Sequence, residues 1–121
     1  MSVESRSGEE QYCYLTTVGR ISGEPREIEI WFVARGNTVY MLSGNGQNSH
    51  WVMNIHTNPS VSVRVGDEEF QGVARVLEPG EEGQSIRPLL AAKYEGWEPG
   101  KPLSAWARTA LPVAVDLRPE H

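Results

Sequence analysis

The sequence predicts a mainly β protein, a small closed antiparallel barrel that carries two helices. Short β-branched and aromatic runs recur with period-two alternation, most cleanly in "SVSVRV" at residues 60–65. Gly36-Asn37 and Gly66-Asp67 separate successive runs by two residues, the spacing of tight hairpins, and hairpins impose antiparallel pairing. Gly72 interrupts a later run, where a closed barrel needs a bulge or a sharp corner.

Taken in order, residues 1–10 are polar and form a loose arm or a short helix. Residues 12–18, "YCYLTTV", form the first strand, and Gly19, Gly23 and Pro25 punctuate the turn after it. Residues 27–34, "EIEIWFVA", alternate as a single strand. Ile28, Ile30 and Phe32 share its inner face, which turns Trp31 outward toward a partner, a helix or a ring system. Residues 38–42 return from the Gly36-Asn37 turn. A Gly-Asn-Gly loop follows, then a helix that Asn58-Pro59 stops. Trp51, Val52 and Ile55 share one face of that helix and point to the core. Residues 60–65 and 69–78 pair as the next hairpin, residues 81–94 form a second helix, and residues 111–117 form the last strand. The total is six strands.

The 121 residues fit one domain, 1–121, long enough to bury roughly two-thirds of the unfolded surface. A net charge of −5 argues against a dedicated nucleic-acid binder but leaves room for a local basic pocket. The single Cys13 excludes an intramolecular disulfide and a cysteine metal cluster. With no transmembrane-length apolar run and no signal-peptide layout at the start, a cytoplasmic location is expected. His50 and His56 lie six apart, well away from each other around a helix, which argues against a metal site.

Strand, glycine loop, helix is a layout that holds anions on free backbone N–H donors. Residues 43–49, "SGNGQNS", have that layout, with Asn48 or Ser49 doubling as the helix N-cap. The loop lacks the third glycine and the parallel crossover of a dinucleotide-binding unit. No nucleophile elbow or framed carboxylate pair occurs.

Three segments carry a family resemblance: "LTTVGRISGEPR" at 15–26, "MLSGNGQNSHWVMNIHTNPSVSVRV" at 41–65, and "ARTALPVAVDLRP" at 107–119. Their order resembles the deazaflavin-dependent nitroreductase branch of the flavin and deazaflavin oxidoreductases. The resemblance implies a six-stranded antiparallel split β-barrel of the FMN-binding, pyridoxamine-phosphate-oxidase-like type, with two or three helices. It also implies the cofactor 8-hydroxy-5-deazaflavin, coenzyme F-420, whose ring exchanges a hydride with a small quinone, enone or nitroaromatic. Catalysis then needs no side-chain nucleophile, because hydride transfer belongs to the cofactor. By position, Ser43, Gly44, Asn45, Gly46, Gln47, Asn48, Ser49 and Trp51 would contact the phosphate and the glutamate tail, with Arg20 and Arg26 as charge partners. Trp31, Tyr94, Trp97 and Trp106 would wall the acceptor pocket, and a homodimer is expected. The sequence departs from the family pattern in one respect: no Lys or Arg stands between Gly36 and Arg64, where relatives place loop and helix cations. Arg20, Arg26, Arg64 or Arg75 would have to compensate. FMN, with one phosphate, is the alternative cofactor, and a non-catalytic carrier of a flavin-like ligand is a further alternative.

Overall fold

The computed structural model describes residues 3–6 and 8–118. Seven strands form one sheet: β1 (Cys13–Val18), β2 (Pro25–Ile30), β3 (Val33–Arg35), β4 (Thr38–Ser43), β5 (Ser60–Val65), β6 (Glu68–Val76) and β7 (Leu111–Leu117). Their spatial order is β2-β1-β5-β6-β7-β4-β3, and every pair is antiparallel. The edge strands β2 and β3 are consecutive in the chain, with only Trp31 and Phe32 between them. Three peptide units reach about 10 Å at most. The two edges therefore meet at that end, and the sheet curls into a split barrel.

The strand count corrects the single strand expected over 27–34. Alternation persists through the break, because both halves place apolar residues inside, but alternation carries no information about pairing partners. Phe32, fully buried at the crossing, has no ladder partner on either side. The Tyr94 hydroxyl accepts from its N–H at 2.9 Å, and Lys93 Nζ donates to its carbonyl at 2.9 Å. Both side chains lie some sixty residues away in sequence, so the break is a tertiary event.

Among the described residues four α-helices accompany the sheet. α1 (Val3–Arg6) buries Val3, and Glu4 accepts the Gly36 N–H at the β3–β4 turn. α2 (His50–Thr57) follows the glycine loop and seats Val52 and Ile55 in the barrel against Leu15, Val63, Val113 and Val115. Full burial of one such side chain contributes roughly 1.5–3 kcal/mol. α3 (Glu81–Glu95) covers the other face, where Ile86 and Leu90 meet Val33, Tyr40, Leu42 and Ala114. It ends at Gly96 in the left-handed region, φ 67°, as a glycine C-cap does. α4 (Ala105–Thr109) was not foreseen, although its signal was present: Ser104 caps it by accepting the Ala107 N–H at 3.1 Å. Among the described residues no helix is long and apolar enough to cross a membrane.

At both two-residue turns glycine comes first with positive φ, 61° at Gly36 and 63° at Gly66, and among the described residues no other residue type has positive φ. That is the type II′ pattern, matched to strand twist. Of the bulge or sharp corner expected at Gly72, the ladder shows no bulge, pairing Val61↔Gly72 and Gly72↔Leu117, and β6 passes there from β5 to β7. Glycine is needed there for close approach: a Cβ would lie 2.8 Å from both Asp116 O and Val115 Cγ1.

Candidate functional site

The glycine loop leaves β4 at Ser43, which is buried. Ser43 Oγ donates to Gly46 O at 2.9 Å, so its 2.5 Å contact with Ser49 Oγ is one in which Ser49 donates. Gly46 (φ 58°) opens a single 3₁₀ turn, Gly46–Asn48. Within that turn the Asn48 N–H bonds Asn45 O, and the Ser49 N–H reaches toward Gly46 O at 3.5 Å. Ser49 is the N-cap of α2, yet its hydroxyl takes none of the helix amides. The first helical bond is Met53 N–H to Ser49 O. The N–H groups of His50, Trp51 and Val52 thus have no acceptor within the helix and lie at its positive end. The open donors stand just beyond the segment 43–49 where the sequence located them. Gly44, Asn45, Gln47 and Asn48 are solvent-exposed on the rim.

Beside the start of α2 lies a groove of about 700 Å³, lined by Thr17, Arg20, Arg26, His50, Trp51 and Asn54 among others. Arg20 comes from the β1–β2 turn. Its Nη1 donates to Asn54 Oδ1 at 2.9 Å, and its Nη2 sits 3.2 Å from His50 Nδ1. A guanidinium can only donate, so in this contact the imidazole proton is on Nε2. The Arg20 backbone N–H also donates to Asn54 Oδ1, at 3.2 Å, while Asn54 Nδ2 donates to Thr17 Oγ1 at 3.0 Å. Asn54 and Thr17, both almost fully buried, thereby lock the turn onto α2. Arg26 donates to Ser22 Oγ at 3.2 Å across the same turn, which packs so tightly over Gly19 that a Cβ there would lie 3.0 Å from Ser22 Oγ. The fold therefore brings two arginines, Arg20 and Arg26, to the groove beside the start of α2. The other two compensation candidates are engaged elsewhere. Arg64 pairs Glu27 at 3.5 Å and lies 4.2 Å over the Tyr14 ring, while Arg75 is held by Glu82 and Asp116 at 2.7 Å each.

The second half of β2 leads to an aromatic cavity of about 250 Å³ lined by Tyr12, Glu29, Ile30, Trp31, Leu42 and Trp106. Trp31 stacks on Tyr94 with centroids 4.4 Å apart and planes 3° from parallel. Trp106 meets it edge-on at 5.3 Å and 87°. Tyr94 braces Trp31 from behind; besides accepting the Phe32 N–H, its hydroxyl is 2.9 Å from the carbonyls of Phe32 and Gln11. Burial pushes that phenol up to about 12. Lys93, 3.9 Å from the Phe32 ring centroid, is drawn down to about 8 by desolvation. Burial likewise pushes the Cys13 thiol up to about 12, which leaves it inert. Trp97 lies apart from this cluster, in the turn after α3, with Nε1 donating to Lys101 O at 2.8 Å. Groove and cavity follow one edge strand: Pro25 to Ile28 line the first, and Glu29 and Ile30 line the second. The glycine loop adjoins the cavity as well, since a Cβ on Gly44 would lie 3.9 Å from Trp106 Cδ1. Asn54 was missed by sequence reasoning, although a carboxamide between the buried Val52 and Ile55 was a signal.

The F420H(2)-dependent quinone reductase family model matches residues 4–118. Among solved structures, one described as an F420 reductase is 21% identical with a TM-score of 0.70, over 96% of this chain and 93% of its own. A second, an F420-H2 dependent reductase, is 25% identical with a TM-score of 0.65, over 87% and 93%. A putative pyridoxamine 5'-phosphate oxidase from Listeria innocua is 20% identical with a TM-score of 0.70, over 95% and 90%.

Proposed function

Because this chain belongs to the F420H(2)-dependent quinone reductase family, we propose that it lays coenzyme F-420 along the β2 cleft and reduces a small planar acceptor at the aromatic cavity. The observation that carries this reading is that the groove and the aromatic cavity are lined by successive residues of one edge strand, Pro25 to Ile28 and then Glu29 and Ile30. Arg20, His50 and the uncapped start of α2 stand at one end, and Trp31 and Trp106 stand at the other. The residues present fit the coenzyme, because an anionic phosphate needs donors that are not already spent, and the α2 amides supply them. Arg20 adds charge-assisted bonds, roughly twice as strong as neutral ones.

When bound, the reduced coenzyme supplies a hydride from its deazaflavin ring. The chain holds and orients the reactants. Trp31, fixed by the Tyr94 stack, presents a flat face to a planar acceptor, and Trp106 limits its sideways travel. Ile30 and Leu42 give the cavity an apolar wall for the acceptor ring. The ionisable groups on that lining are the Glu29 carboxyl, which accepts the Tyr14 hydroxyl proton at 2.8 Å, and the Tyr12 phenol. Uncharged quinones, enones and nitroaromatics meet these conditions. The same reading includes a cytoplasmic homodimer, which light scattering would check.

The test is a fluorescence titration of purified protein with coenzyme F-420 and, separately, with FMN, followed by steady-state reduction of a benzoquinone dye. Tighter binding of F-420 that weakens with salt, together with turnover, is expected. Preference for FMN would overturn the cofactor, and binding without turnover of any acceptor would overturn the reaction.

A further inference from the structure

The aromatic cavity has a charge that a neutral acceptor leaves unused. Tyr12, Glu29, Ile30, Trp31, Leu42 and Trp106 line it, and no Lys, Arg or His stands among them. Glu29 is thus the one carboxylate on a wall without cations. The Tyr14 hydroxyl donates to its Oε2 at 2.8 Å, a neutral partner that leaves the negative charge in place. The cations near this strand are committed elsewhere. Arg64 pairs with Glu27 at 3.5 Å and lies over the Tyr14 ring, while Lys93 Nζ donates to the Phe32 carbonyl and lies over the Phe32 ring. Among the described residues no ion pair reaches Glu29. On the same lining, Trp31 and Trp106 stand at 87° to each other and form an indole corner. Indole attracts cations that lie within about 6 Å of the ring centroid, more strongly than the other aromatic side chains do. Aromatic walls with a carboxylate and no competing cation suit a positively charged guest.

We propose that this cavity takes a planar, delocalised organic cation as a hydride acceptor, and that Glu29 is the residue that selects it. The inference rests on the reading that a hydride is delivered at this cavity. The step balances without a side-chain acid. A C–H bond of the reduced coenzyme breaks, and its hydrogen passes with both electrons to an electrophilic ring carbon of the cation. A C–H bond forms there, the acceptor is reduced to a neutral molecule, and the coenzyme's second hydrogen goes to solvent as a proton. A neutral quinone needs a proton besides the hydride; a cation does not. Charge also separates substrate from product, since Glu29 and the indoles attract the cation and hold the neutral product less. The edge strand is polarised to match. Arg26, with Arg20, stands at the groove for the anionic coenzyme, and Glu29 stands at the cavity for the cation.

The test begins with binding, read as quenching of tryptophan fluorescence by N-methylacridinium and, separately, by neutral acridine in buffer well above its pKa. Wild-type protein is expected to prefer the cation about tenfold, and salt to narrow the preference. Glu29→Gln keeps the acceptor for the Tyr14 hydroxyl and removes the charge. Because Glu29 is exposed, the variant should weaken cation binding about three- to fivefold and leave acridine unchanged. Tyr14→Phe removes the same hydrogen bond but keeps the charge, so the preference should survive; its loss there would make Glu29 structural and overturn the proposal. Turnover follows, with reduced F-420 as donor and either N-methylacridinium or benzoquinone as acceptor. Glu29→Gln should lower kcat/KM for the cation by the same factor and leave benzoquinone at the wild-type rate. Benzoquinone turnover without preferential binding of the cation, or a preference that Glu29→Gln leaves intact, would overturn the proposal while the proposed function stands. Preferential binding with no turnover of either acceptor would overturn the hydride reading and the acceptor role with it.

Discussion

Asn54→Ala tests the joint on which the coenzyme groove depends. The carboxamide makes three bonds: it accepts the Arg20 N–H at 3.2 Å and Nη1 at 2.9 Å, and donates to Thr17 Oγ1 at 3.0 Å. Thr17 is 1% exposed and Asn54 is 3% exposed, so water does not replace what is lost. Each buried group left unsatisfied costs about 1–3 kcal/mol. The Thr17 hydroxyl can rotate, and Arg20 keeps its contacts with His50, so the full sum is not reached. Allowing for partial relief, the destabilisation is about 2–4 kcal/mol, a large share of the 5–15 kcal/mol typical of a domain. In urea, with a slope of about 1–3 kcal/mol/M, the midpoint falls by about 1–2 M. The β1–β2 turn also loses its tether to α2, so F-420 binding weakens along with stability. A destabilisation below about 0.5 kcal/mol with unchanged slope would refute the claim that this carboxamide locks turn to helix.

Three further outcomes follow from the same geometry. Arg20→Ala should weaken F-420 binding about tenfold at low salt and flatten its salt dependence, measured by titration across ionic strengths; an unchanged salt slope would count against Arg20 as a charge partner. Gly72→Ala should cost about 1–3 kcal/mol in thermal or chemical melts, because the new Cβ meets the β7 backbone at 2.8 Å rather than a movable side-chain tip. Acid should loosen the attachment of α3 to the sheet. Arg75 and the Tyr40 hydroxyl hold Glu82 down to about 2, and Arg75 lowers Asp116 as well. A depressed carboxyl stabilises the fold above its unfolded value near 4.5 and loses that contribution as pH falls toward 2. The pair is more than a third exposed, so after screening the effect is about 1 kcal/mol, and Glu82→Gln should reduce the slope of stability against pH in that window.

The sequence by itself determined the elements that depend on neighbours along the chain. Alternation at residues 60–65 placed Val61, Val63 and Val65 inside, and the glycine-led turns at Gly36 and Gly66 set two hairpins, because side-chain period and turn dihedrals are local properties. The glycine loop and the helix after it were legible for the same reason. Tertiary structure decided where strands end and what the loop is given. The run 27–34 breaks at Phe32 because Tyr94 and Lys93 satisfy its backbone from α3, a bond pattern that no period reports. The same contact braces Trp31 against Tyr94 and leaves Trp97 outside the aromatic cluster. Charge at the groove was likewise unreadable from the stretch between Gly36 and Arg64. Arg20 reaches α2 only because Asn54 and Thr17 fasten the turn there, and electrostatic attraction depends on distance in space rather than on separation in sequence.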